Sequence, residues 1–156
     1  MTESRKIAIV TPQYSSLSGG IIALHKLADI LLRHGYPVSL FPDRLLPGSG
    51  FWKQIKTRLL RRFRTNPAYR SNVLFSVPEF DDGWIVLYPG SIPGNRLNAV
   101  NVVRWHLNFP KELDPLGSFG SGELYFRYKT VPSVGTLPAG SHLSSRPMIV
   151  NDYPLH

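Results

Sequence analysis

Residues Arg5 to Pro42 read RKIAIVTPQYSSLSGGIIALHKLADILLRHGYPVSLFP and carry the strongest structural pattern in the sequence. This stretch opens with a short β-branched run that stops at Pro12, which predicts a buried strand. A loop with a glycine pair follows, and then apolar residues recur at helical spacing until Gly35, a residue type expected just past the end of a helix. Residues Val38–Phe41 predict a second strand. Strand, loop, helix and strand form a βαβ unit, which requires parallel pairing.

The rest of the 156-residue chain extends this unit. Trp84–Tyr88 and Leu124–Tyr128 predict strands, whereas Val102–Leu107 fits a strand or a helix. Weaker patterns suggest short strands at Val73–Val77 and Met148–Val150.

We also expect a short helical turn at Asn98–Val100. The fold class predicted from these elements is α/β, a Rossmann-like three-layer αβα sandwich with a mainly parallel sheet. We expect residues 1–156 to form a single Rossmann-like domain, with a loosely structured segment rich in Pro, Gly and Ser at 129–156.

Composition and missing motifs exclude several function classes. The chain has no cysteine, so thiolate metal sites, cysteine nucleophiles and dithiol redox chemistry are excluded. No apolar run approaches the roughly 20 residues of a transmembrane helix. No P-loop, dinucleotide fingerprint or GxSxG elbow is present, and the five histidines lack metal-binding spacing. We therefore expect no metal site and no bound cofactor, and a cytoplasmic location, since the start resembles no secretory signal.

The positive charge is concentrated in one segment. The chain has eighteen bases and ten acids, a net charge of +8. Phe51–Arg64 reads FWKQIKTRLLRRFR and holds six of those bases and no acid; without them twelve bases face ten acids, a net +2. This helix-like segment has three interpretations: packing on the sheet with solvated bases, docking on an anionic membrane, or binding nucleic acid. Nucleic acid is the least favoured, because no stacking platform of interleaved aromatic residues accompanies the bases. The candidate membrane-surface residues are Trp52, Lys53, Lys56, Arg58, Arg61, Arg62 and Arg64.

The glycine pair Gly19–Gly20 is the main candidate for ligand contact. It lies between the first predicted strand and the first helix, where the N-terminus of the helix offers unpaired N–H groups and a partial positive charge. Glycines let a phosphate or sugar oxygen approach the backbone. In open parallel sheets ligands bind at the carboxyl ends of the strands, where this loop belongs. The alternative is that the glycines only permit a tight loop.

Other residues are candidates for the same crevice. Gln13 and Tyr14 share the first loop, and Gly90 and Asn95 lie in the loop after the strand at 84–88. Asn95 could contact a sugar or cap the next helical turn. His106 could donate to a hydroxyl or phosphate if its face of the strand meets the crevice; the alternative is a structural histidine.

Two stretches of sequence carry a family resemblance. The first comprises KIAIVTP, the loop reaching Ser18–Gly20, the helix with Leu27, Ala28 and Leu31, and the helix stop His34–Val38. The second comprises Trp84–Pro89, Gly94–Asn95, Leu97–Ala99 and Asn101–Asn108. Together they resemble the amino-terminal domain of GT-B-fold glycosyltransferases, in particular the large retaining group (family 4) that uses nucleotide sugars. The resemblance covers roughly residues 5–128.

This resemblance implies a function and a missing partner. In such enzymes the amino-terminal domain shapes the acceptor site, and its glycine loop (here Gly19 and Gly20) approaches the donor diphosphate. A carboxy-terminal domain binds most of the nucleotide sugar and carries an E-x₇-E motif, a spacing that no glutamate pair has here.

We therefore expect the acceptor-side domain of a glycosyltransferase that acts on a glycan or lipid-linked acceptor, peripheral on the inner face of the membrane. Its donor domain would be missing or supplied in trans. The alternative is a non-catalytic Rossmann-like module that binds a glycan or a partner.

Overall fold

The computed structural model describes residues 4–107, residues 120–127 and the backbone of residues 142–143. Its strands are β1 (Lys6–Thr11), β2 (Val38–Pro42), β3 (Trp84–Pro89), β4 (Asn101–His106), β5 (Leu124–Arg127) and β6 (His142–Leu143). Its helices are α1 (Gly19–Arg33), α2 (Phe51–Leu60) and a 3₁₀ turn at Asp43–Leu45. The strands form one six-stranded sheet in the order β2-β1-β3-β4-β5-β6, and every pairing is parallel. The predicted Rossmann-like α/β fold is confirmed.

The order in which the chain adds strands to the sheet reverses at β1. The chain leaves β1 for α1 and returns to β2 on one side, and then crosses to β3 on the other side of β1. Apolar residues of α1, such as Leu24, pack with Ile9 and Leu87 on one face of the sheet. The loop after β3 packs on the opposite face, where Leu97 meets Val86. The connections that follow β1 and β3 therefore diverge to opposite faces.

Helix α1 is capped at its start and ends at the glycine that its sequence predicts. Ser18 is the N-cap, and its Oγ accepts a hydrogen bond from the Ile21 N–H at 3.5 Å. At the other end Gly35 has a φ of +82°, the left-handed conformation that ends many helices. The N–H of Tyr36 then donates to the Leu31 carbonyl at 3.0 Å and satisfies one of the last carbonyls of the helix.

The two faces of the sheet are covered differently. Helix α1 covers one face. On the other face the 3₁₀ turn and loop residues supply the apolar contacts, with Leu45, Leu46 and Phe80 packed against the sheet. The second outer layer, in the described part of the chain, is thus built mainly from loops.

Three local predictions need correction. Helix α2 ends at Leu60, because Arg61 has a φ of +46° and turns the chain out of the helix, so the basic segment is not one helix to residue 64. Asn98–Val100 is not a helical turn, since Asn98 has a φ of +50°. Val73–Val77 is reduced to a single parallel bridge between Val73 and Leu40 at the outer side of β2.

Other predictions are confirmed or lie outside the described residues. The ambiguous run at 102–107 is a strand, β4. Met148–Val150 lies outside the described residues, as does most of the segment 129–156, in which His142–Leu143 forms β6. Neither helix in the described ranges combines the length and the hydropathy needed to cross a bilayer.

A buried ion pair joins β4 to the residue that precedes β5. The Arg104 guanidinium on β4 is fully buried and pairs with the Glu123 carboxylate, with Nη2 donating to Oε1 at 3.1 Å. Glu123 also accepts from the Tyr125 hydroxyl at 2.9 Å and the Gly120 N–H at 3.0 Å. Such a pair offsets the cost of burying two charges only while both partners are present.

We predict that Glu123→Gln lowers the free energy of unfolding by about 3 kcal/mol, because the buried Arg104 guanidinium loses the charge of the Glu123 carboxylate. Urea denaturation followed by circular dichroism measures the change. The exposed Glu79→Gln is the control, and its effect should stay within about 0.5 kcal/mol. Equal effects of the two substitutions would show that the buried pair contributes no special stability.

Candidate crevice at the carboxyl ends of the strands

A crevice of about 390 Å³ lies where β1, β3 and β4 end. This is the place where the loops after β1 and β3 diverge, the position at which open α/β sheets bind ligands. The volume lies within the range of small-molecule sites. Its lining residues are Pro12, Ser18, Gly20, Ile21, Leu24, Pro89, Gly90, Ser91, His106 and Leu107.

The glycine pair at the start of α1 is open at this crevice. A Cβ added to Gly19 would meet no atom within 4 Å, and one added to Gly20 would only touch the Leu107 side chain at 3.5 Å. Gly20 lines the crevice and Gly19 is exposed beside it. Within the described residues, neither N–H is a donor in any hydrogen bond found. The first turn of α1 therefore presents backbone donors and the positive end of the helix dipole.

Gly90 and His106 form the opposite wall. The Gly90 N–H donates to the Trp105 carbonyl at 3.0 Å, which holds the end of β3 against β4. The His106 ring lies over Gly90 and stacks on Tyr125 with ring centroids 6.0 Å apart and an interplanar angle of 10°. A Cβ at position 90 would overlap the imidazole, so glycine is required here by the close approach of the ring.

Asn95 lies in the same loop but has another role. Its Oδ1 accepts from the Ala99 N–H at 3.0 Å, and its Nδ2 donates to the Ala99 carbonyl at 2.8 Å. The Tyr88 hydroxyl donates to the same Oδ1 at 3.2 Å. Burial raises the pKa of Tyr88 to about 12, so this hydroxyl keeps its proton. The Asn95 amide closes its own loop and is not part of the crevice lining. It caps no helical turn, because Asn98–Val100 is not one.

The Arg104 side chain binds the backbone of the loop that follows β3. Its Nη1 donates to the Ile92 carbonyl at 2.9 Å, and its Nη2 donates to the Gly94 carbonyl at 3.0 Å. The guanidinium also lies over the Tyr88 ring, 5.3 Å from its centroid. The buried cation therefore holds the backbone that follows β3 in one conformation.

Gln13 and Tyr14 are absent from the lining. The Tyr14 ring contacts Tyr69 and His25, and its backbone N–H and carbonyl both bond to Arg64, at 2.7 and 3.0 Å. The first loop is therefore tied to the end of the basic segment, and Tyr14 points to that side instead of toward Gly20.

His25 is a structural residue beneath this loop. Its Nε2 lies 3.0 Å from the Pro12 carbonyl, and its ring stacks on Phe63 with centroids 5.9 Å apart. Burial lowers the pKa of His25, opposed by the hydrogen bond to Pro12. The neutral ring with the proton on Nε2 satisfies the Pro12 carbonyl and supports one wall of the crevice.

The basic segment projects away from the core. The six bases are exposed, as are Phe51 and Trp52, which is 72% exposed. The apolar residues at helical spacing in this segment are Trp52, Ile55, Leu59 and Phe63. Leu59 is 77% exposed, so two of the four, Trp52 and Leu59, are not packed on the sheet. Phe63, by contrast, packs beside α1. Of the three interpretations, packing of the whole segment on the sheet is wrong.

Several lining residues were missed by sequence reasoning. Pro12 ends the first predicted strand, and Ile21 and Leu24 follow the glycine pair on the predicted helix, so their positions carried the signal. Leu107 was missed because its run fitted two structures. Among the described residues, no group of three or more potential metal ligands occurs together.

Comparisons with protein-family models, with curated proteins and with solved structures found no match. Fold and site together define the class: a Rossmann-like α/β domain with a crevice at the carboxyl ends of its central strands.

We predict that Gly90→Ala lowers the free energy of unfolding by about 1–3 kcal/mol, because the new methyl group overlaps the His106 ring. Gly19→Ala, with open space around its Cβ, should be neutral or stabilise by up to about 1 kcal/mol. Urea denaturation of both variants measures the difference. A stable Gly90→Ala variant with an unshifted His106 resonance would contradict the packing of this wall.

Proposed function

We propose that this chain is the acceptor-side domain of a glycosyltransferase that moves a sugar from a nucleotide-sugar donor to a glycan or lipid-linked acceptor. The observation that carries the proposal is the open glycine pair at the start of α1, facing the crevice at the strand ends. The sequence resemblance supports the reaction class, and the geometry supports the place where the donor diphosphate would bind.

The crevice suits the anionic leaving group of such a reaction. The N–H groups of Gly19 and Gly20 and the dipole of α1 favour negative charge. Among the described residues, the lining includes no carboxylate that would repel a diphosphate. His106 and the hydroxyls of Ser18 and Ser91 are the side-chain groups that could position sugar or phosphate oxygens.

The proposed mechanism needs no protein nucleophile. A retaining transfer of this kind depends on holding donor and acceptor in register and on stabilising the charge that develops on the departing diphosphate. The described crevice offers backbone donors on one wall and the His106 ring on the other. A second Rossmann-like domain, in the same polypeptide or supplied in trans, would bind the nucleotide and complete the cleft.

The proposal places the domain at the inner face of the membrane. The six exposed bases of the segment 51–64 would attract anionic lipid, at about 1 kcal/mol for each base near the surface. Trp52 would lie at the level of the lipid headgroups. The Phe51 ring packs against it edge-on, with ring centroids 5.7 Å apart. A domain bound to the membrane surface would encounter a lipid-linked acceptor by diffusion in the plane of the membrane.

We predict that UDP or GDP binds this chain with a Kd of about 1 mM and that Gly20→Asp weakens the binding at least about tenfold. The new carboxylate would lie where the diphosphate is proposed to bind and would repel it. Because a negative charge stabilises the N-terminus of a helix, the melting temperature of the variant should not fall. Isothermal titration calorimetry measures the affinity.

The matched control is Asn98→Asp, which adds the same charge at an exposed position where Asp tolerates the left-handed backbone. It should leave nucleotide affinity unchanged. No binding of either nucleotide by the folded wild-type chain contradicts the diphosphate site. Glycan binding without nucleotide binding would favour the non-catalytic module instead.

Vesicle flotation tests the membrane part of the proposal. We expect the chain to float with phosphatidylcholine vesicles containing phosphatidylglycerol and not with phosphatidylcholine alone. Binding should fall as salt approaches about 1 M, where the screening length is about 3 Å. Equal recovery with both vesicle types at low salt would contradict membrane docking through these bases.

A further inference from the structure

A second concavity lies beneath the C-terminal end of α2, away from the crevice described above. It has a volume of about 540 Å³. One wall is Arg58 and Arg61; the other is the segment Val73–Val77. None of the residues that line the crevice at the strand ends lines this groove.

The backbone geometry shapes both walls. Arg61 adopts the left-handed conformation that ends α2, so the chain turns there. The opposite wall is fixed to β2, because the Leu40 N–H donates to the Asn72 carbonyl at 2.8 Å and the Leu74 N–H donates to the Leu40 carbonyl at 2.9 Å. The single bridge at Val73 therefore attaches the wall to the sheet.

The chemistry of the groove is amphipathic. Two guanidinium side chains face a wall that includes Val73, Phe75 and Val77, all at least partly exposed. The ion pairs found among the described residues involve Arg5, Arg33 and Arg104, and none involves Arg58 or Arg61. A complementary ligand carries a negative head and an apolar chain.

We propose that this groove binds one molecule of an anionic phospholipid, with its phosphate on Arg58 and Arg61 and the start of an acyl chain along Phe75 and Val77. Guanidinium groups match phosphate oxygens in geometry and charge. The inference deepens the membrane part of the proposed function and rests on it, but it is independent of sugar transfer.

The surroundings favour lipid over nucleic acid. Phe51, Trp52, Leu59 and Leu60 are exposed on the same helix, and this apolar surface gains stability in hydrocarbon and not along a sugar–phosphate backbone. The two aromatic rings meet at an interplanar angle of 73°, so they form no flat platform for stacked bases.

The experiment separates a built groove from diffuse charge by pairing two double variants of α2. Arg58→Gln/Arg61→Gln removes two charges that line the groove, and Lys53→Gln/Lys56→Gln removes two exposed charges that do not. The probe is a short-chain phosphatidylglycerol below its micelle concentration, titrated by calorimetry. We expect the wild-type chain to bind the lipid saturably and one to one. The double arginine variant should weaken this binding at least about tenfold, and the double lysine variant less than about threefold.

A second variant tests the apolar wall. Val77 is 41% exposed, and Val77→Asp places a charged carboxylate where the acyl chain is proposed to lie. Val100→Asp, at a position that is 65% exposed and outside the groove, is its control. Only Val77→Asp should reduce lipid affinity, again by about tenfold or more. Circular dichroism confirms that each variant is folded.

Three results would contradict the proposal that this groove binds a phospholipid. Equal losses from the arginine and lysine pairs would show that only diffuse charge acts. If inorganic phosphate bound as tightly as the lipid, the acyl chain would contribute nothing to the affinity. An RNA oligonucleotide that bound more tightly and displaced the lipid would identify a different ligand. UDP and GDP affinity should be the same in both double variants, so loss of lipid binding and loss of the proposed diphosphate site are distinguished.

Discussion

The strand order around β1 is the constraint on which the rest of the structure depends. Because β2 lies on one side of β1 and β3 on the other, the chain leaves the ends of β1 and β3 toward opposite faces of the sheet. The backbone cannot fill the space between two diverging loops, so a crevice remains at the carboxyl ends of the strands. The first turn of α1 begins at that crevice, which brings unpaired N–H donors to an opening of about 390 Å³.

Buried polar groups keep the walls of this crevice in place. Arg104 binds the carbonyls of Ile92 and Gly94 and is neutralised by Glu123, so β4 determines the shape of the loop after β3. On the opposite side a neutral His25 lies against the Pro12 carbonyl and Phe63. Tyr14 joins the first loop to Arg64. The end of the basic segment is therefore in direct contact with the first loop, which begins at Pro12 in the crevice wall.

Local sequence patterns predicted the regular elements well, because β1, α1, β2 and β3 each combine strong periodicity with Pro or Gly at their ends. They failed where a single backbone angle decides the outcome: the left-handed Arg61 shortens α2, and the left-handed Asn98 removes the predicted turn. Gly20 and Gly90 were predicted at the crevice because Gly20 lies at the start of the first helix and Gly90 follows a strand. His106 was a candidate only if its face of the strand met the crevice, and the structure places it in the lining. Asn95 and Tyr14 were not separable from them by sequence, since their partners Ala99 and Arg64 are set by tertiary packing.

The most direct test of the central claim is to observe the backbone amides at the start of α1 when a diphosphate is added. In a ¹⁵N-labelled sample titrated with UDP or with inorganic pyrophosphate, the account predicts that the resonances of Gly19 and Gly20 shift first and furthest, together with that of Gly90 across the crevice. The amide of Gly35, at the other end of α1, should stay in place. Shifts confined to the basic segment 51–64, with Gly19 and Gly20 unmoved at saturation, would contradict the claim that this crevice receives the phosphates of a sugar donor.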